Sequence, residues 1–167
     1  MKRILLMMLA MLAFGVHDIQ AQDAPLKIVT NHPDFKINVK RCAASGKTVI
    51  LDLILTNEGA NDVENVIVYA GAGYVADPHA EAYDSQGNIY QDHSIAVKVA
   101  NRNNFSDANT GEFHILSGVP MRLSVSIDGV PLSAESIARL KLPVSAKAWN
   151  LDGRKPVIFR NIPISRN

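Results

Sequence analysis

The sequence predicts an all-β fold, an antiparallel two-layer sandwich of about seven to nine strands. Three observations point there. Apolar and polar residues alternate with a period of two in seven separate runs, which places successive side chains on opposite faces of a strand. Clusters rich in Gly, Asn, Asp, Ser and Pro separate those runs. Nowhere is the three-to-four-residue apolar spacing of a long helix sustained.

The first element is a leader. Lys2 and Arg3 precede an apolar run from Ile4 to Phe14, and the polar stretch GVHDIQAQD follows. A basic start, a short apolar core and a small residue before a polar segment predict a secretory signal peptide over residues 1–21, cut after Ala21. No later run reaches the roughly 18 apolar residues that a spanning helix requires, so no membrane insertion is expected after cleavage. The expected location is secreted or periplasmic. Residues 22–34 read as a linker or an irregular first strand, because Pro25 and Pro33 interrupt regular pairing. Residues 35–167 then form one sandwich domain, long enough for a sizeable core.

Within that domain, FKINVK sets Phe35, Ile37 and Val39 against Lys36, Asn38 and Lys40. TVILDLILTN sets Val49, Leu51, Leu53 and Leu55 on one face, while Ile50 and Ile54 make the other face partly covered. The runs NVIVYA, SIAVKVA, MRLSVSID, ARLKLPV and PVIFRNIPI repeat the pattern. The intervening ASGK, NEGAND, DSQGN, ANRNN, SGVP, DGVP and LDGRK supply turn chemistry. SAESIARLKL is the best helical candidate, but Leu140 and Leu142 continue in alternation toward Pro143, so one short turn before a strand is expected.

Charge narrows the function. Removing residues 1–21 takes Lys2, Arg3 and Asp18 from the 17 basic and 16 acidic residues, leaving fifteen of each. A neutral chain lacks the Lys and Arg excess that nucleic acid or an anionic membrane demands. The single cysteine, Cys42, forbids an internal disulfide, so stability must come from packing.

The run INVKRCAASGKTVILDLILTNEGANDVENVIVY resembles secreted bacterial immunoglobulin-like domains of the telokin-like kind, in which a long inner strand ends in Thr-Asn before a Gly-containing turn. YDSQGNIY resembles their mid-chain Asp-Gly hairpin, and FRNIPI their closing strand. The resemblance covers most of residues 35–164 and extends to exported Bacteroidetes proteins without an assigned activity. It implies an immunoglobulin-like sandwich. Two features depart from an antibody-type core: the cysteine pair is missing, and the sole tryptophan, Trp149, lies late.

Several motifs carry candidate chemistry. In YDSQGNIY the glycine comes too early for a helix-loop-helix calcium loop, whose glycine stands at the sixth position. A hairpin fits better, with Asp84 bonding nearby amides and Tyr83 and Tyr90 paired across the strands. GAGYVA, Gly71 to Ala76, formally fits a dinucleotide fingerprint, but Asp77-Pro78 blocks the helix that fingerprint needs. In DPHAEAYD, Asp77, His79 and Glu81 recur every second residue and would share a strand face, with His93 joining across the hairpin. That set suits zinc or a similar ion, and equally a solvated face. Cys42 with a histidine base lacks any hydrolase signature and reads as a small buried hydrophobe. Tyr74, in the glycine-rich loop, and Trp149, in the polar segment KAWNLDGRK, are candidate ligand-binding aromatics. The expected function is a non-catalytic binding or protein-interaction module, with no catalytic residue and no cofactor, whose loops at one end meet an unknown protein or glycan. A carbohydrate-binding accessory protein is the alternative, and a metal-assisted hydrolase the third reading.

Overall fold

The computed structural model describes residues 25–30, 33–71, 79–102, 112–146 and 155–166, and these form an all-β sandwich of two sheets. The alternation in TVILDLILTN becomes the central strand β3 (Thr48–Asn57). Its odd-numbered residues are buried and its even-numbered residues half-buried, as a strand with one face in the core requires. Along one edge of it runs β2 (Phe35–Ser45), antiparallel, joined through the Gly46 turn at φ +58°. A register shift between Val39 and Arg41 makes Lys40 a bulge. The bulge swaps the odd and even faces, so that Phe35, Ile37 and Val39 pack inward before it and Cys42 and Ala44 after it.

The other edge of β3 pairs with β9 (Met121–Ile127), and β9 with β7 (Ile95–Val99). The short strand β12 (Ser165–Arg166) lies parallel to β2 and completes a five-stranded sheet ordered β12-β2-β3-β9-β7. Arg166 fastens that last strand. Its guanidinium donates to the carbonyls of Pro131 (2.8 Å) and Ala134 (3.2 Å) from Nη2, and of Gly46 (3.3 Å) from Nη1.

The second sheet has seven strands. Its main path is β1 (Lys27–Val29), β11 (Lys155–Pro163), β10 (Ser136–Ser145), β4 (Val63–Val68) and β8 (Phe113–Ile115). β10 changes partner along its length. Ile137 to Lys141 pair with β5 (Glu81–Asp84), which pairs in turn with β6 (Ile89–Tyr90), whereas Val144 and Ser145 pair with β4. Pro143 lies beside the change of partner and faces Pro156 on β11, so neither residue of that pair brings an N–H to the ladder.

Between the sheets lies one apolar core, in which Leu51, Leu53, Leu140, Leu142 and Phe159 are among the largest fully buried side chains. Each such side chain stabilises the fold by about 1.5–3 kcal/mol through removal from water. Cys42 is buried in that core as expected. The described residues contain twelve strands, more than the seven to nine that the sequence predicts. β1 falls within the segment read as a linker or irregular first strand, and β5 and β6 are the arms of the expected hairpin; the additions β8 and β12 are three and two residues long, too short for alternation to register. SAESIARLKL begins with a turn closed by Ala134 N–H to the Pro131 carbonyl (3.1 Å) and is strand from Ser136 onward.

Candidate functional site

The hairpin YDSQGNIY is built around the Asp84 carboxylate, which is 2% exposed. One of its oxygens accepts from the backbone N–H groups of Gln86 (2.9 Å) and Asn88 (3.0 Å). The other accepts from Asn88 Nδ2 (2.8 Å) and the Tyr90 hydroxyl (2.7 Å). Gly87, at φ +84°, makes the reversal. Burial alone would raise the pKa of Asp84. The hydrogen bonds from Asn88, Tyr90 and Gln86 outweigh it and hold the carboxyl below its ordinary value. Burial and the same carboxylate push the Tyr90 phenol up. A carboxylate whose lone pairs are filled by its own loop is a folding device. The expected Tyr83–Tyr90 pair does not form, because the register sets Tyr83 opposite Ile89 and Tyr90 opposite Ala82. Tyr90 therefore points into the core and Tyr83 outward.

Of the expected metal set, Asp77 lies outside the described residues, as do Tyr74 and Trp149. His79 and Glu81 flank the buried Ala80, His79 ahead of β5 and Glu81 on the outer face of the sheet. His93 sits in a short 3-10 turn, Asp92–Ser94, that leads out of β6 toward the other sheet. Among the described residues no three His, Cys, Asp or Glu side chains converge as metal ligands. Cys42 has its thiol pushed up to about 11, chiefly by burial and in part offset by the charge of Arg166, which leaves it protonated and unreactive at neutral pH.

The outer face of the seven-stranded sheet holds an arrangement that no local motif announces. Cross-strand register aligns Lys27 on β1 with Arg160 on β11, Arg160 with Arg139 on β10, Arg139 with Tyr83 on β5, and Tyr83 with Ile89 on β6. Neighbouring strands lie about 4.8 Å apart, so these five side chains form a row about 19 Å long. Three consecutive members are cations. Like charges directly opposite on adjacent strands destabilise a sheet. None of the three has an ion-pair partner among the described residues.

Arg139 is placed by a bulge. The register of β10 against β5 shifts between Ile137 and Arg139, so Ala138 and Arg139 both turn away from the core between the buried Ile137 and Leu140. The Nε of Arg139 is buried and has no hydrogen-bond partner. Such an orphan donor costs about 1–3 kcal/mol. Beside the row stands Glu81, opposite Lys141, accepting from Gln91 Nε2 (2.9 Å). Burial would raise the pKa of Glu81, but hydrogen bonds from Tyr83 and Gln91 and the charges of Lys141 and Arg139 lower it further, so it is ionised at neutral pH. The hydrogen bond to Glu81 in turn pushes the Tyr83 phenol up.

The opposite face differs. On the five-stranded sheet Arg41 binds Asp52 through Nε (3.0 Å) and Nη2 (2.8 Å), Ser124 Oγ donates to the other Asp52 oxygen (2.6 Å), and Lys36 pairs with Glu58 (3.1 Å). The sequence hides the row on the seven-stranded sheet because its members come from four distant segments. The available signal is only that ARLKL and FRN alternate cations with buried residues.

No family model and no curated protein matches this chain. Among solved structures, a family 123 glycoside hydrolase from Clostridium perfringens, studied for glycolipid glycan hydrolysis, is similar over 74% of this chain and 21% of its own, at 15% identity and a TM-score of 0.39. AvmM, which catalyses macrocyclization in alchivemycin A biosynthesis, is similar over 68% of this chain and 72% of its own, at 6% identity and a TM-score of 0.31. This chain spans about a fifth of the length of that hydrolase, and likenesses this weak carry no activity to it.

Proposed function

We propose that this protein is a non-catalytic binding module that takes an anionic ligand on the outer face of its seven-stranded sheet. The observation that supports this reading is the in-register row Lys27–Arg160–Arg139 with the orphaned Arg139 Nε at its inner end. The facing cations destabilise the free protein, and an anion seated across the row relieves their repulsion. Charge-assisted hydrogen bonds from guanidinium to carboxylate, sulfate or phosphate are the strong ones available on such a surface. With a leader expected over residues 1–21, the partner is sought in the periplasm or outside the cell.

Retention of the protein in a native gel cast with a carboxylated polymer tests the reading, with polygalacturonate and poly-L-glutamate run in parallel. At least one polymer is expected to slow the wild type, and Arg139→Met with Arg160→Met is expected to abolish the retardation. The control pair Lys40→Met and Arg122→Met, on the other sheet, is expected to keep it. Equal retardation of both double variants, or none of the wild type in either gel, would overturn the assignment.

A further inference from the structure

The row is more than a stripe of charge, and its composition says what kind of anion it suits. Reading across the strands, three cations are followed by Tyr83 and then by Ile89, which is 57% exposed. A polar flank runs alongside at the Tyr83 end, where Glu81 and Gln91 are hydrogen-bonded to each other. A ligand lying along this line therefore meets donors for anionic groups, an aromatic ring with an apolar neighbour, and a carboxylate that only accepts. Few polymers offer all three complements together.

An acidic polypeptide does not. It has no hydroxyl-bearing ring with an apolar face for Tyr83, and it brings no donors for Glu81 beyond its backbone. A polyphosphate lacks hydroxyl donors and an apolar face for Tyr83. A chain of uronic acid rings matches each part. Its carboxylates meet the cations, the ring's C–H face stacks on tyrosine, and its hydroxyls donate to Glu81.

Resting on the anionic-ligand reading above, we infer that the ligand is an acidic polysaccharide, a uronate-bearing chain laid across β1, β11, β10, β5 and β6. Its carboxylates face Lys27, Arg160 and Arg139, and one ring rests on Tyr83 with its hydroxyls toward Glu81.

Isothermal titration with a hexagalacturonate probe tests this, with its fully methyl-esterified form and a glutamate hexapeptide as comparisons. Binding of hexagalacturonate is expected, weakened at least tenfold by esterification and at least tenfold by Arg139→Met. Tyr83→Ala is expected to weaken it about fivefold, and Tyr83→Phe to restore most of that loss. Melting curves of the three variants verify folding, and Arg160→Met replaces Arg139→Met should the latter unfold. Binding of the glutamate peptide equal to or tighter than hexagalacturonate, lost in the arginine variants but indifferent to Tyr83→Ala, would overturn the saccharide assignment while leaving the anion site standing. Binding of neither probe would overturn the inference. Absence of binding in the polymer gels as well would remove the anion site with it.

Discussion

Two charged regions meet on the pairing of β10 with β5, and they are opposites. Ile137 faces Asp84, and across the Ala138 bulge Arg139 faces Tyr83. On the core side of the sheet, the Asp84 carboxylate takes four hydrogen bonds from its own hairpin. On the solvent side, Arg139 stands among other cations with its Nε unanswered. One charge is saturated by the fold and holds a turn together. The other is left open, at a cost to the fold. The contrast teaches that a charged residue's role is read from its partners, since both belong to strand-and-turn sequence of an ordinary kind.

The largest expected effect comes from breaking the saturated side. Asp84→Ala strips four donors of their acceptor and leaves the Tyr90 hydroxyl and two backbone amides unpaired, costing about 3 kcal/mol in urea unfolding. A loss below about 1 kcal/mol would show that the hairpin holds without its carboxylate. Asn57→Ala is next, at about 2 kcal/mol. Asn57 is 1% exposed, donates to the Asn61 carbonyl (2.8 Å) and accepts from Gly59 N–H (3.0 Å), so it is a second saturated node, placed where β3 ends.

The acid limb of stability carries a smaller share. Asp84 binds a proton less readily folded than unfolded, so its contribution is complete above the ordinary carboxylate value near pH 4 and fades as pH falls through the lowered folded value. Urea midpoints measured from pH 5 to pH 2 should fall more steeply for wild type than for Asp84→Asn. Parallel curves would refute the assignment. The smallest change sharpens the contrast by its sign. Arg139→Met removes an orphan donor and a like-charge neighbour while keeping a long apolar stem, so the urea midpoint should stay level or rise, by up to about 1 kcal/mol in stability. A clear drop would mean that Arg139 is part of the fold after all.

How much of this the sequence revealed follows from the range of each interaction. The layers of β2, β3, β7, β9, β10 and β11 were legible because alternation is local, and Asp84's role in its turn was legible because its donors lie within six residues. The cationic row was not, because Lys27 and Arg160 stand 133 positions apart and only strand register joins them. Tyr83 and Tyr90 were misassigned to each other because the register of a hairpin depends on the loop, and this one holds Asp84 N–H to the Asn88 carbonyl (3.2 Å) around Gly87. The candidate aromatics Tyr74 and Trp149 fall outside the described residues.

β10 gives its first half to β5 and its second to β4. The division is on one edge only, since β11 pairs along the whole of the other, and the amides that β5 and β4 each cover report the opening of that partner. Amide deuterium uptake along β10 should accordingly separate into two kinetic classes on either side of Pro143, and a ligand lying across the first half should slow only that class.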